Sequence, residues 1–196
     1  NTWLNLINDP EMPNLTSNLL NSGIILKARL FFFALASISL VLFILRSQKT
    51  LLYLQILLIF GQAFLMPPIR KLGDNLRQLP LRNISKQIAN IRQGNETLAM
   101  IGIRKPSLHF YTKQIVFYES SSAEGLVNLF ERFNFDRRIN FQDKPNYDNE
   151  SFLVVIDEYS SKEEHWSNIN YQKLGVYGIY NLWRLKKSDL NAQATK

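Results

Sequence analysis

The stretch richest in chemistry is Gly102-Ile103-Arg104-Lys105-Pro106-Ser107-Leu108-His109-Phe110-Tyr111-Thr112. It ends an apolar run, adds a basic pair, then a proline suited to opening a helix, then an aromatic cluster. Arg104, Lys105 and Tyr111 can face an anionic group, and they are the candidate ligand contacts. The competing reading is a strand-to-helix corner with Phe110 and Tyr111 in the core. Asp157-Glu158 follows the run FLVVI, and acids at strand C-termini often serve function in α/β folds. The same two acids would also simply solvate a loop. Asp9 and Glu11 form an acidic pair suited to general-base or metal chemistry, but no His or third acid lies beside them. A solvated turn is the plainer reading.

Other chemistries are not signalled. There is no cysteine, so disulfides, thiolate metal sites and a Cys nucleophile are excluded. His109 and His165 are the only histidines and show no metal-ligand spacing. No phosphate-binding loop, dinucleotide fingerprint or nucleophile elbow is present. The residues therefore name no catalytic, cofactor-binding or metal-binding side chain. The net charge of +7 raises nucleic acid as a partner. Residues 81–196 carry sixteen Lys/Arg against thirteen Asp/Glu, scattered rather than striped. That distribution argues against a nucleic-acid binder.

Two elements dominate the first part of the chain. Residues 24–46 and 51–69 are apolar runs long enough to cross about 30 Å of hydrocarbon. They read as two transmembrane helices in a hairpin, with the lipid bilayer as partner. Pro67 and Pro68 mark the expected end of the second. Gln55 and Gln62 share one face of it and are expected at helix–helix contacts. Before the hairpin, Asn14, Thr16, Ser17 or Asn18 can cap a short helix.

Residues 80–188 read as a soluble, compact α/β domain, a sheet with packed helices. Leu79-Pro80 breaks the chain, and Asn83 can cap a helix carrying Ile84, Ile88 and Ile91 that stops at Gly94. Strands follow over 97–103, 114–118 and 152–156, with a helical turn over SLHFYT between the first two. Ser121 and Glu124 have capping-box spacing ahead of a helix with Leu126, Leu129, Phe130 and Phe133. Ser161 and Glu164 repeat that spacing before a short helix through Trp166. Residues 134–150 read as a surface loop, and 174–186 as one or two closing strands bent at Gly178.

The stretch Gly102–Thr112, with its pattern Gly-x-x-Lys-Pro-Ser-Leu-x-Phe-Tyr-Thr, resembles the C-terminal region of polyprenyl-phosphate-dependent membrane glycosyltransferases. These include the aminoarabinose transferases and the protein O-mannosyltransferases. The segment DPEMPNL and the strand QIVFY are similar to bacterial members. The resemblance implies a fragment of a polytopic enzyme of the type C fold, also suggested by a chain that starts at Asn1 without Met. It implies a lipid-phosphate-linked sugar as donor and a lipid or protein acceptor. The acceptor, activated by a carboxylate base, would attack the anomeric carbon while the lipid phosphate leaves. That acid belongs to the family's first exterior loop, and nothing here matches its position. Metal dependence differs among such enzymes, and no ligand set is evident here.

The resemblance also implies that residues 1–23 are an exterior loop segment and that the soluble domain is periplasmic or otherwise exterior. A count of Lys and Arg around the hairpin would place that domain in the cytoplasm instead. Long domains translocate largely regardless of charge, so the exterior placement is preferred. The alternative function is a non-enzymatic membrane-anchored α/β binding or interaction module.

Overall fold

The computed structural model describes residues 9–45, 49–94, 96–139 and 151–194, and side chains except those of 134–139 and 191–194. The chain divides into two compact units, Asn1–Arg77 and Gln78–Lys196.

The first unit is helical. α1 spans Leu15–Asn21, α2 Ile24–Ile44 and α3 Thr50–Gly73. Asn14 sits at the N-cap of α1 without a side-chain capping bond. α2 and α3 are apolar nearly all round and bury almost nothing: only Ile24 on one and Gly61 on the other. Both are long and apolar enough to cross a membrane. A helix apolar on every side belongs in a protein core or in lipid, and this exposure is consistent with membrane association. The two helices pack on one another, with Phe31 of α2 against Gly61 of α3. A Cβ on Gly61 would lie 1.9 Å from the Phe31 ring. The small residue thus sets the contact stripe. Gln55 and Gln62 lie off that stripe and are exposed, contrary to expectation.

The prolines also behave otherwise than expected. α3 does not stop at Pro67-Pro68 but runs on to Gly73 with both inside it. A proline costs one amide donor and fixes a φ that is already helical, so flanking bonds can carry the helix through. A π-helical turn, Asp74–Gln78, follows, and then α4, Leu79–Ile91. Pro80 lies in the first turn of α4, where a missing N–H goes unmissed, so it does not break the chain. Asn83 is consequently inside the helix rather than its cap.

The second unit is a three-layer α/β/α sandwich. β1 (Leu98–Ile101), β2 (Val116–Glu119), β3 (Ser151–Asp157), β4 (Tyr171–Tyr177) and β5 (Tyr180–Lys186) form one sheet in the order β2-β1-β3-β5-β4. β2, β1 and β3 are parallel; β5 and β4 extend the sheet antiparallel. α4 and α5 (Pro106–Thr112) cover one face through Leu81, Ile84, Ile88 and Leu108, packed on Met100, Leu153 and Val155. α6 (Ala123–Ile139), α7 (Glu164–Ser167) and α8 (Lys187–Ala194) lie on the other side. There Leu126, Leu129, Phe133, Trp166 and Leu190 meet Ala99, Ile101, Val154 and Ile156. Burial on both faces is why FLVVI reads as an unbroken apolar run.

The local signals were partly misplaced. α6 is capped by Ser122, whose Oγ accepts from the Gly125 N–H, and not by Ser121. α6 continues to Ile139, so 134–139 are helical and not loop; 140–150 lie outside the described residues. The Ser161 box does not form: a 3₁₀ turn, Ser160–Lys162, precedes α7, and Glu163 is the N-cap. β4 and β5 are joined by Gly178-Ile179, with Gly178 at φ 61, the positive angle that a two-residue hairpin turn asks of its first position.

One buried ion pair holds an edge of the sandwich. Arg184 on β5 donates from Nε to Glu96 Oε1 at 2.8 Å and from Nη2 to the Ile91 carbonyl at 2.7 Å. Glu96 also accepts from the Ser151 hydroxyl and, at 2.9 Å, from the Gln93 N–H. Burial pushes the Glu96 carboxyl up, but the bonds from Ser151, Gln93 and Arg184 outweigh it and hold the pKa below its ordinary value. A lowered folded-state pKa gives stability that is present above the unfolded value of 4.5 and lost as pH falls through the lowered one. Glu96→Ala is expected to cost about 2–3 kcal/mol in urea unfolding at pH 7, because the half-buried Arg184 loses its carboxylate and keeps only the Ile91 carbonyl. The gap between wild type and variant should shrink as the pH is lowered from 6 to 3.

Candidate functional site

The C-terminal ends of the parallel strands are where an α/β sheet usually offers its ligand crevice. Here that edge is occupied by the protein's own groups. β1 exits through Gly102 at φ 81, whose N–H donates to the Glu119 carbonyl at 3.1 Å. Asp157, at the end of β3, is 2 % exposed. Its Oδ2 accepts from the Ile103 N–H at 3.2 Å and from the Ser160 hydroxyl at 2.7 Å. Its Oδ1 accepts from the N–H groups of Tyr159 and Ser160 at 3.1 and 2.9 Å. A Cβ on Gly102 would stand 2.0 Å from Asp157 Oδ2 and 2.3 Å from Ser160 Oγ. Asp157 is therefore a tie between two strand exits, and Glu158 beside it is exposed and ion-paired with Lys162 at 2.8 Å.

The predicted contacts do not converge. Arg104 is exposed at the exit of β1, and Lys105 is the N-cap residue of α5. The Tyr111 hydroxyl is spent on Gln78 Oε1 at 3.2 Å, and its ring packs against the α4–α5 face of the core. Phe110, expected in the core with it, is 74 % exposed instead. The seven-residue α5 turns only one face to the sheet, through Leu108, and Phe110 is two positions round from it. Glu119, buried at the end of β2, meets Arg132 Nε at 2.6 Å.

The other candidate residues are likewise engaged. Asp9 and Glu11 both face Arg77, at 2.7 and 3.6 Å, and Asp9 Oδ1 accepts the Glu11 N–H. His109 bonds the Gln114 carbonyl and His165 the Ser121 carbonyl, which also receives Trp166 Nε1 at 2.7 Å. Among the described residues no three His, Cys, Asp or Glu side chains are grouped to hold a metal ion.

Open polar surface lies instead on the antiparallel extension. A groove of about 400 Å³ is lined by Tyr171, Lys173 and Val176 of β4, Asn181 and Trp183 of β5, and the exposed Glu158–Lys162 turn. Tyr171 stacks on Trp183 with ring centroids 3.9 Å apart and planes 10° from parallel. Trp183 is 2 % exposed and Tyr171 39 %. Asn181 is 7 % exposed, and its amide makes no hydrogen bond among the described residues. The strand pattern carries a partial signal for this site. Asn181 and Trp183 are two apart on a strand and so share a face, but the β-bulge between Lys173 and Gly175 blurs the matching alternation in β4.

Residues 91–196 match the family described as cyanobacterial RgtA-type glycosyltransferase, C-terminal domain. That is more than half of the chain. The chain belongs to this glycosyltransferase family. No curated protein and no solved structure matches it. The RgtA-type match begins at the last residue of α4 and takes in the whole sheet with α5 to α8. It supports the glycosyltransferase resemblance read from Gly102–Thr112. In this domain Gly102 and Pro106 shape the corner, while Arg104 is exposed beside it.

That division of labour is measurable. Asp157→Ala is expected to lower stability by about 2–3 kcal/mol, since it orphans the N–H groups of Ile103, Tyr159 and Ser160. Gly102→Ala should cost a similar amount through its positive φ and the crowding of Asp157. Arg104→Ala should fall within about 0.5 kcal/mol of wild type. Chemical denaturation of the three variants checks the order.

Proposed function

We propose that this chain is part of an integral-membrane glycosyltransferase that moves a sugar from a polyprenyl-phosphate carrier to a lipid or protein acceptor at the outer face of the membrane. The observation that carries the proposal is the match of residues 91–196 to a glycosyltransferase C-terminal domain, directly preceded in the chain by two helices apolar on all sides. Lipid-linked donors are used where apolar helices hold the enzyme in the bilayer, and α2 and α3 supply the length and composition for that. In this reading the α/β unit sits on the periplasmic or exterior side and serves acceptor binding. The base that activates the acceptor is supplied by residues outside this chain.

Two measurements test the proposal. Membranes carrying the full protein are expected to transfer labelled sugar from a polyprenyl-phosphate donor to an endogenous acceptor, with loss of donor matching gain of product. A phosphatase reporter fused after Lys196 should be active, as an exterior C-terminus requires. Absence of any donor consumption would leave the non-enzymatic membrane-anchored module as the better reading. A cytoplasmic reporter signal would overturn the outer-face assignment.

A further inference from the structure

We infer that the β4–β5 groove is a binding site for an uncharged sugar ring, with Tyr171 as its stacking platform. Trp183 closes one face of Tyr171 at 3.9 Å and fixes the phenol in a nearly parallel plane. Tyr171 is 39 % exposed and lines the groove. A rigid aromatic plane offers its negative face to the weakly positive C–H groups on one side of a pyranose.

The polar groups around the platform select the class. Asn181 keeps both an amide donor and a carbonyl acceptor without a hydrogen bond among the described residues, although the residue is 93 % buried. It lines the groove, so an incoming hydroxyl, itself donor and acceptor, can satisfy it. An apolar ligand would leave that amide unpaired at a cost. At the rim, Glu158 and Lys162 neutralise one another at 2.8 Å and still offer acceptor and donor positions. An anion entering there would meet the Glu158 carboxylate as well as Lys162 and Lys173. Adjacent hydroxyls on a neutral ring match this mixture better than a phosphate or a hydrocarbon does.

The groove's role as an acceptor subsite rests on the glycosyltransferase reading above; the binding of sugar does not. A neutral ring also occurs at the head of a lipid-linked donor, and the two sources are separated by the test. The full protein, in phospholipid nanodiscs free of sugar detergents, is titrated with mannotriose, maltotriose and galactobiose while saturation transfer from protein to ligand is followed by NMR. At least one should bind, with inorganic phosphate giving no competition. Tyr171→Ala should weaken binding at least tenfold, and Tyr171→Phe should keep it within threefold.

Val176 is 54 % exposed at the groove wall, so Val176→Arg blocks the site without touching the core. It should abolish binding even if Tyr171→Ala proves unstable. In turnover assays with lipid-linked sugar, Val176→Arg should raise KM for the acceptor at least fivefold and leave KM for the donor unchanged. The reverse pattern would assign the groove to the donor headgroup and overturn the acceptor role. Failure of all three sugars to bind, binding indifferent to both variants, or competition by phosphate would overturn the site itself. Sugar binding without any transfer would leave the site standing and remove the glycosyltransferase reading.

Discussion

β3 has no side chain free to reach water from Phe152 to Asp157, and the second unit is arranged around that fact. Phe152, Val154 and Ile156 must be covered from one side, and Leu153 and Val155 from the other. Two helix layers do both here. The same strand is the seam of the sheet. Its neighbour on one side, β1, runs parallel and needs a helical crossover, while β5 on the other side runs antiparallel and closes a hairpin with β4. The parallel half is therefore wrapped by long connections, and the antiparallel half ends in β4, an edge strand whose residues are exposed or half-buried.

A strand buried on both faces can meet polar groups only at its ends, and a carboxylate sits at each end of β3: Glu96, from the segment before β1, and Asp157 of β3 itself. At the N-terminal end Glu96 draws in Ser151, Gln93 and Arg184. At the C-terminal end Asp157 gathers the backbone of the β1 exit and of the following turn. Both acids satisfy donors that would otherwise be stranded at the sheet margins. Neither has capacity left over for a substrate. Position at a strand terminus predicts polar character, and the polar character here is consumed by the fold.

The sequence showed most of this architecture. Unbroken apolar runs gave β1 and β3, the isoleucines of α4 gave its buried face, and Pro106 gave the start of α5. What it concealed were features decided at a distance. Pro67 and Pro80 look like punctuation locally, yet bonds on either side carry the helices through them. Ser121 and Ser122 are both plausible caps, and only the approach of Trp166, which claims the Ser121 carbonyl, accompanies the choice of Ser122. The candidate contacts Arg104, Lys105 and Tyr111 share a motif but not a surface. α8 had no apolar periodicity to announce it, apart from Leu190.

The location of the groove follows from the same geometry. Where parallel strands end, a crevice forms because neighbouring loops depart in opposite directions. In this domain the crevice is stitched shut by Asp157 across to Ile103, and Gly102 is kept free of a side chain so that the stitch fits. Ligand-accessible polar surface is found instead beside the edge strand β4, where Tyr171, Lys173 and Val176 are exposed. There Trp183 is held by the core from beneath, Tyr171 is held by Trp183, and Asn181 is fixed two residues along the same strand. An aromatic platform anchored in this way needs little ordering when it binds, because its rotamers are already set by packing. The motif at the β1 corner and the hairpin near the end of the chain thus exchange the roles their residues suggest: the first braces the sheet, and the second presents it.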